Sequence, residues 1–316
     1  MMDGKAPLEE VICALCESSE KELVFKTRDG HFLSRCLVCD FQFYSPRPDG
    51  QQIEAYYHEE EFYEKTNITA VEIVMDILAH LNLRSGKLLD IGCGVGALVA
   101  LAEKKGWDAV GMDPSPKAVG LAKQVLDLDI LQSYLGDAQF EPDTFDVVVL
   151  LAVLEHAFDP VSIMKNVWKI LKPGGWVIAS TPNLDNISYH LMPNKEEYSW
   201  FIKEHINHFT LKTHRTLLET VGFQNPEFHM CGHFKVEKNG PAIGLLPSPT
   251  FARAARNMFS ESLEPAAQTL FGKDSVRLSD SEVIEIMQKQ MELWELQEGE
   301  YSLSDAVYFS AQKPDR

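Results

Sequence analysis

Three glycines at alternate positions follow a short apolar run in Leu88-Leu89-Asp90-Ile91-Gly92-Cys93-Gly94-Val95-Gly96, and no other segment constrains the fold as strongly. The apolar residues read as a strand that ends in an acid, and Ala97 to Ala102 reads as the start of a helix. Glycine is needed where backbone turns tightly and a ligand must approach with no Cβ in the way. A glycine-rich loop between strand and helix belongs at the carboxyl end of a parallel strand, where open α/β sheets bind ligands.

The surrounding sequence repeats the alternation. Strands are expected at 88–91, 109–113, 129–134, 145–151 and 175–181, with helices at 96–106, 115–125 and 159–171. Val71, Val74, Met75, Leu78 and Leu81 recur at helical spacing, so a further helix precedes the first of these strands. Lys172-Pro173-Gly174-Gly175 supplies a helix stop and a turn. This order predicts an α/β fold, a parallel sheet with helices on both faces. A helix near 210–221 ended by Gly222, a strand near 226–236 and a last strand at 306–311 follow. Residues 240–300 break the rhythm and are read as a helical insertion before the last strand. Ser279 and Glu282 form a capping box there, and Gly299 can end the helix. The stripe Val283, Met287, Met291 and Trp294 reads as core, with a substrate lid or a homodimer contact as the other reading.

Residues 1–50 read as a separate small module, and 51–316 as the main domain. Cys13-x-x-Cys16 and Cys36-x-x-Cys39, nineteen residues apart, match a four-thiolate structural zinc site. Disulfides are the rival reading, disfavoured in a cytoplasmic chain. A redox pair, the third, would not need duplication. So small a module builds little core alone, and a metal would supply the missing stability. Cys93 and Cys231 stand apart and read as small hydrophobes rather than metal ligands.

A formal charge of −18 with no Lys/Arg run argues against nucleic acid, whose phosphates draw affinity from clustered cations. The longest apolar run, Val147 to Leu154, is too short to span a bilayer. The N-terminus carries no signal-peptide pattern, so a cytoplasmic location is the expectation.

Asp113 ends the second strand, nineteen residues after Gly94, where a carboxylate can accept both hydroxyls of an adenosine ribose. A nicotinamide dinucleotide would fit that much. Three features point elsewhere. Asp90 precedes the glycines and suits a ligand with an amino group and a cation, the loop reads Gly-x-Gly-x-Gly, and Gly136-Asp137-Ala138 offers a further acid for an adenine amino group.

These segments, with Phe145-Asp146-Val147-Val148, Leu154-Glu155-His156 and Leu171-Lys172-Pro173-Gly174-Gly175, stand in the order seen in class I S-adenosylmethionine-dependent methyltransferases. Over about residues 70–235 the chain resembles their small-molecule branch, including ubiquinone-biosynthesis O-methyltransferases. The resemblance implies a Rossmann-like class I methyltransferase sheet. It also implies an S-adenosylmethionine site in which Asp90, Gly92, Cys93 and Gly94 hold the methionine end. Met112 and Asp113 would hold the ribose, Asp137 and Ala138 the adenine, and Leu151 and Tyr63 would line the cofactor. The cysteine module with Ser45-Pro46-Arg47-Pro48 resembles the front end of some sugar C-methyltransferases, but those chains are longer and carry an extra domain.

Methyl transfer from a sulfonium is an in-line substitution, governed by proximity and alignment. A hydroxyl acceptor benefits from a general base, most often histidine. Glu204-His205-Ile206-Asn207-His208 follows the fifth strand, where a small-molecule acceptor would sit, so His208 and His205 are the expected catalytic residues. A metal role lacks a third ligand in the sequence. The other reading has His208 buttressing the helix that begins near Thr210. His156 reads as structural or cofactor-adjacent. Two further functions remain open: an RNA-modifying methyltransferase, and a non-catalytic cofactor-binding protein that recruits a partner.

Overall fold

Short strands joined by tight turns carry the N-terminal cysteines. β1 (Leu8–Glu9) pairs antiparallel with β5 (Arg47–Pro48), while β2 (Lys21–Lys26), β3 (Phe32–Cys36) and β4 (Gln42–Tyr44) form an antiparallel meander between them. Leu33, Phe41, Phe43 and Tyr44 are buried in it. The computed structural model describes residues 8–28, 30–48, 68–186, 189–190, 195, 201–229, 234–236, 279, 299–301 and 306–315.

α1 (Ile68–His80) buries the stripe Val71, Val74 and Leu78 that its spacing predicts. β6 (Lys87–Ile91), β7 (Asp108–Met112), β8 (Phe145–Leu151) and β9 (Leu171–Pro182) then alternate with α2 (Ala97–Lys104), α3 (Pro116–Leu126) and α4 (Pro160–Ile170). β6 pairs parallel with β7 on one side and β8 on the other, and β8 pairs parallel with β9. Strands covered on both faces read as continuous apolar runs, and Val147 to Leu150 of β8 are fully buried. Pro at the first helical position and a side-chain cap start two of the helices. Ser115 accepts from the Ala118 amide, and Asp159 from the Ser162 amide.

β10 (Asn207–His208), α5 (Leu211–Val221), β11 (Gln224–His229) and β14 (Ala306–Gln312) complete this part of the chain. Thr210 and Thr213 close a reciprocal cap on α5, and Gly222 ends it in the left-handed conformation. β14 lies between β9 and β11, giving a six-stranded sheet of order β11-β14-β9-β8-β6-β7. Met1–Pro182, Ser199–His229 and Tyr308–Arg316 cluster as one unit, and Asn183–Tyr198 with Met230–Val307 as another. In the second unit β12 (Phe234–Val236) pairs antiparallel with β13 (Gly299–Tyr301). The helical part of the 240–300 insertion, its Val283–Trp294 stripe and Cys231 lie outside the described residues.

Three expectations need correction. Residues 129–134 form no strand: only Leu131 bridges Met112. Ile130 is buried, but Asp129 and Leu131 on either side are exposed, so the segment has a single pairing at the sheet edge rather than a buried face. The strand expected near 226–236 is two strands, β11 and β12. Lys172 to Gly175 is not a turn ahead of the strand but an interruption inside β9. Phe145 and Val147 of β8 face Leu171 and Trp176, so the intervening β9 residues loop out of register. Gly175 fits because a Cβ there would lie 2.9 Å from the Lys172 carbonyl oxygen.

Lys313 locks that interruption. Its Nζ donates to the Leu171 carbonyl at 2.6 Å and to Asp143 at 2.7 Å, and lies 4.2 Å from the Trp168 ring centroid. Its backbone exchanges hydrogen bonds with Gly174 and Gly175. Lys313→Met keeps the stem but strands the Leu171 carbonyl, and should lower stability by about 1–3 kcal/mol in urea unfolding. An unchanged midpoint would contradict this role.

Candidate active site

The chain leaves β6 toward β7 on one side and returns in β8 on the other, so a crevice opens at the carboxyl end of β6. The glycine loop lies there. The amides of Gly92 and Cys93 both donate to the Met112 carbonyl, at 2.8 and 3.1 Å, which pins the turn to the end of β7. Gly92 has φ +70, and a Cβ there would meet Val153 Cγ2 at 2.8 Å. No other residue fits both the conformation and the space.

Asp113 accepts the Gly94 amide on Oδ2 and the Ser115 amide on Oδ1, each at 2.9 Å. It thereby ties the loop to the start of α3, and each oxygen keeps a second lone pair for a ligand hydroxyl. Asp90 and Asp113 are each 3% exposed. Burial, and after it the charge of Asp113, pushes the Asp90 carboxyl up to about 8. Burial also raises Asp113, against the two amides that hold it down. Neither acid has an ion pair among the described residues. Such a site favours a ligand that brings positive charge and hydroxyl donors.

The predicted cofactor residues divide by place. Asp90, Gly92, Cys93, Gly94, Met112 and Asp113 come together at the ends of β6 and β7, and Leu151 ends β8. Asp137 and Ala138 sit in a turn on the Tyr134 carbonyl, with Asp137 exposed. Tyr63 lies outside the described residues.

A one-turn helix, Leu154–His156, follows β8. Asn207 of β10 clamps it: its Nδ2 donates to the carbonyls of Leu154 and Ala157 at 3.0 and 2.6 Å. His156 Nδ1 lies 2.9 Å from the Glu204 carbonyl oxygen, and the His156 and His205 ring centroids are 4.9 Å apart. With Glu155 these two histidines bring ligand atoms within 4.8 Å of one another, a carboxylate and two imidazoles that could hold a divalent ion. Burial pushes Glu155 up to about 8 and drives His156 down to about 3, and Glu155 Oε2 has no partner among the described residues.

His205 and His208, close in sequence, face different surroundings. Neighbouring side chains of a strand point to opposite sides. Asn207 of β10 faces the turn after β8, and His208 packs edge-on to Tyr44 and Phe201, centroids 5.0 and 4.8 Å away. Burial, and after it the neighbouring His205 and His31, holds His208 well below the usual histidine range, and its Nε2 has no partner among the described residues. From the sequence His205 and His208 form the expected pair, and His156 reads as structural or cofactor-adjacent. The grouping of His205 with residues nearly fifty positions earlier has no local signature; only the Asn207 amide, a buried polar group needing partners, hinted at it.

The four cysteines form a cluster. Cys13 Sγ lies 3.4 Å from Cys39 Sγ, and Cys16 Sγ 3.5 Å from Cys36 Sγ. Thiolates around a tetrahedral zinc stand about 3.8 Å apart, so the donor set and its spacing fit that ion. The meander that carries them extends into the site. β10 pairs antiparallel with β4, Asn207 opposite Phe43 and His208 opposite Gln42. The Tyr44 amide donates to the Ile206 carbonyl, and Lys212 pairs with Asp40 beside Cys39.

Comparison with known proteins agrees with this geometry. The family described as "Methyltransferase domain" matches residues 57–227, more than half of the chain. The ubiquinone biosynthesis O-methyltransferase of Methylococcus capsulatus is 37% identical over 130 residues, 39% of this chain and 54% of that protein. The enzyme of the same name from Aliivibrio fischeri is 38% identical over 109 residues, 33% of this chain and 47% of that protein. The chain thus spans about half the length of these curated relatives. A chain of the complex between the Haloferax volcanii Trm112 methyltransferase activator and a methyltransferase superposes with TM-score 0.50 at 20% identity, over 83% of this chain and 98% of that one. The Rossmann-like methyltransferase fold expected from the motifs is the fold observed, and the chain belongs to the methyltransferase domain family.

Proposed function

We propose that the protein transfers the methyl group of S-adenosylmethionine to a hydroxyl oxygen of a small molecule. The observation that carries this reading is the buried Asp90–Asp113 pair around the glycine turn, an acidic cradle with no ion pair among the described residues. S-adenosylmethionine supplies an electrophilic methyl on a sulfonium, together with an ammonium and ribose hydroxyls that suit these acids. The names of the relatives support a hydroxyl acceptor. The net charge of −18 weighs against RNA. Among the described residues no helix is long and apolar enough to cross a membrane.

In this reading Asp90 and the amides of the loop bind the methionine end, and Asp113 binds the ribose. Asp137 and Ala138 flank the adenine, and Leu151 lines the cofactor. His205, held against His156 and Glu155, orients the acceptor hydroxyl and takes its proton. His208 positions β10 by packing on Tyr44 and Phe201. The four cysteines hold a structural zinc that stabilises the meander on which β10 is paired.

Incubation with methyl-labelled S-adenosylmethionine and a pool of small hydroxyl compounds should yield labelled O-methyl product; label found only in RNA, or nowhere, overturns the reading. His205→Ala should lower kcat by about 10²–10⁴-fold and leave cofactor affinity unchanged, whereas His208→Phe, which keeps the ring packing, should stay within about ten-fold of wild type. The reverse ranking would return the base to His208. Elemental analysis of the purified chain should find one zinc, which Cys36→Ser removes with a lowered melting temperature. Metal-free protein of undiminished stability would refute the zinc assignment.

A further inference from the structure

Most of the Arg47 side chain is buried, while its terminal amino groups reach solvent. Arg47 opens β5 and is 9% exposed. Its Nε reaches Glu9 Oε1 at 3.5 Å, the outer limit of a hydrogen bond, and the Glu9 side chain is 47% exposed. Among the described residues its two terminal amino groups make no hydrogen bond. Nearby acids are engaged elsewhere. Asp159 is taken by the amide and hydroxyl of Ser162, and Glu10 by Lys21 and Ser45.

The guanidinium carbon lies 4.7 Å from the centroid of the Phe158 ring. That contact uses the cation's charge and none of its N–H donors, which stay available for a planar oxyanion. Phe158 follows Ala157, whose carbonyl is held by Asn207, so it continues the turn that carries Glu155 and His156. Arg47 therefore sits on the turn that presents the proton-handling cluster. A lysine would place a point charge there, whereas the guanidinium fork matches two oxygens of one carboxylate or phosphate.

We propose that Arg47, stacked over Phe158 with terminal amino groups that make no hydrogen bond among the described residues, is the anchor for an anionic group of the acceptor, a carboxylate or a phosphate. This rests on the methyltransferase reading for the word acceptor, but the anion site itself does not. The selectivity it confers is for molecules that carry both a hydroxyl and an oxyanion.

The test is calorimetric titration of the full chain with benzoate, phenyl phosphate and neutral benzamide, with and without saturating S-adenosylhomocysteine. Wild type should bind one of the anions about ten-fold or more tighter than benzamide, and which anion wins distinguishes carboxylate from phosphate. Arg47→Met keeps the stem over Phe158 and should abolish that preference without changing affinity for S-adenosylhomocysteine. Arg47→Lys keeps the charge but loses the fork, and should weaken the anion several-fold. The inference fails if wild type shows no preference, or if either variant keeps the wild-type preference. Failure to bind S-adenosylhomocysteine would instead defeat the methyltransferase reading, and would leave the anion comparison to be judged by itself.

Discussion

Two carboxyl groups buried together at the switch point of the sheet set the terms for the rest of this structure. Asp90 and Asp113 are each almost wholly removed from water, and neither has an ion pair among the described residues. Bringing them there is unfavourable, since burial opposes ionisation of both and the charge of Asp113 further opposes that of Asp90. The fold tolerates the arrangement because Asp113 spends its oxygens on the Gly94 and Ser115 amides, and Asp90 is held largely protonated at neutral pH. The glycine turn, the Met112 carbonyl that pins it and the capped start of α3 all follow from holding these acids in place.

The cysteine meander is joined to the segment that follows β9 by a few backbone bonds. β10 adds to β4 through Asn207 and His208, and the same Asn207 side chain grips the turn after β8. A buried amide that satisfies two carbonyls fixes geometry more firmly than apolar packing, because its loss leaves all three groups unpaired. The cysteine cluster is thus linked to the segment that carries His205 through β10, which begins two residues after it.

The central fold was legible because its signals are local. Buried parallel strands show as apolar runs in Val147 to Leu150, caps show as Ser115-Pro116 and Asp159-Pro160, and the loop shows in its glycines. The two C-x-x-C turns announced their cluster in the same way. What stayed hidden depends on pairing across long separations. Residues 129–134 fall where the strand–helix rhythm calls for a strand, but only Leu131 meets a partner. His205 and His208 look like a pair in sequence, yet the alternation of β10 sends Asn207 and His208 to opposite sides, and His156 is the imidazole that His205 meets. Arg47 reads as part of a Pro-bounded break, and only its burial over Phe158 sets it apart.

The claim that Asp90 awaits a cationic cofactor has a direct thermodynamic consequence. In the free protein Asp90 titrates near 8, above its ordinary value, so at pH 7 it is mostly protonated. A bound ammonium and sulfonium favour the ionised form, so binding must expel that proton. Titration of S-adenosylmethionine into the full chain at pH 7, in buffers of differing ionisation enthalpy, should show release of nearly one proton per cofactor bound. The same measurement on Asp90→Asn should show tenfold or weaker binding with no proton released. Absence of binding, or binding with no proton release by the wild-type chain, would contradict the account.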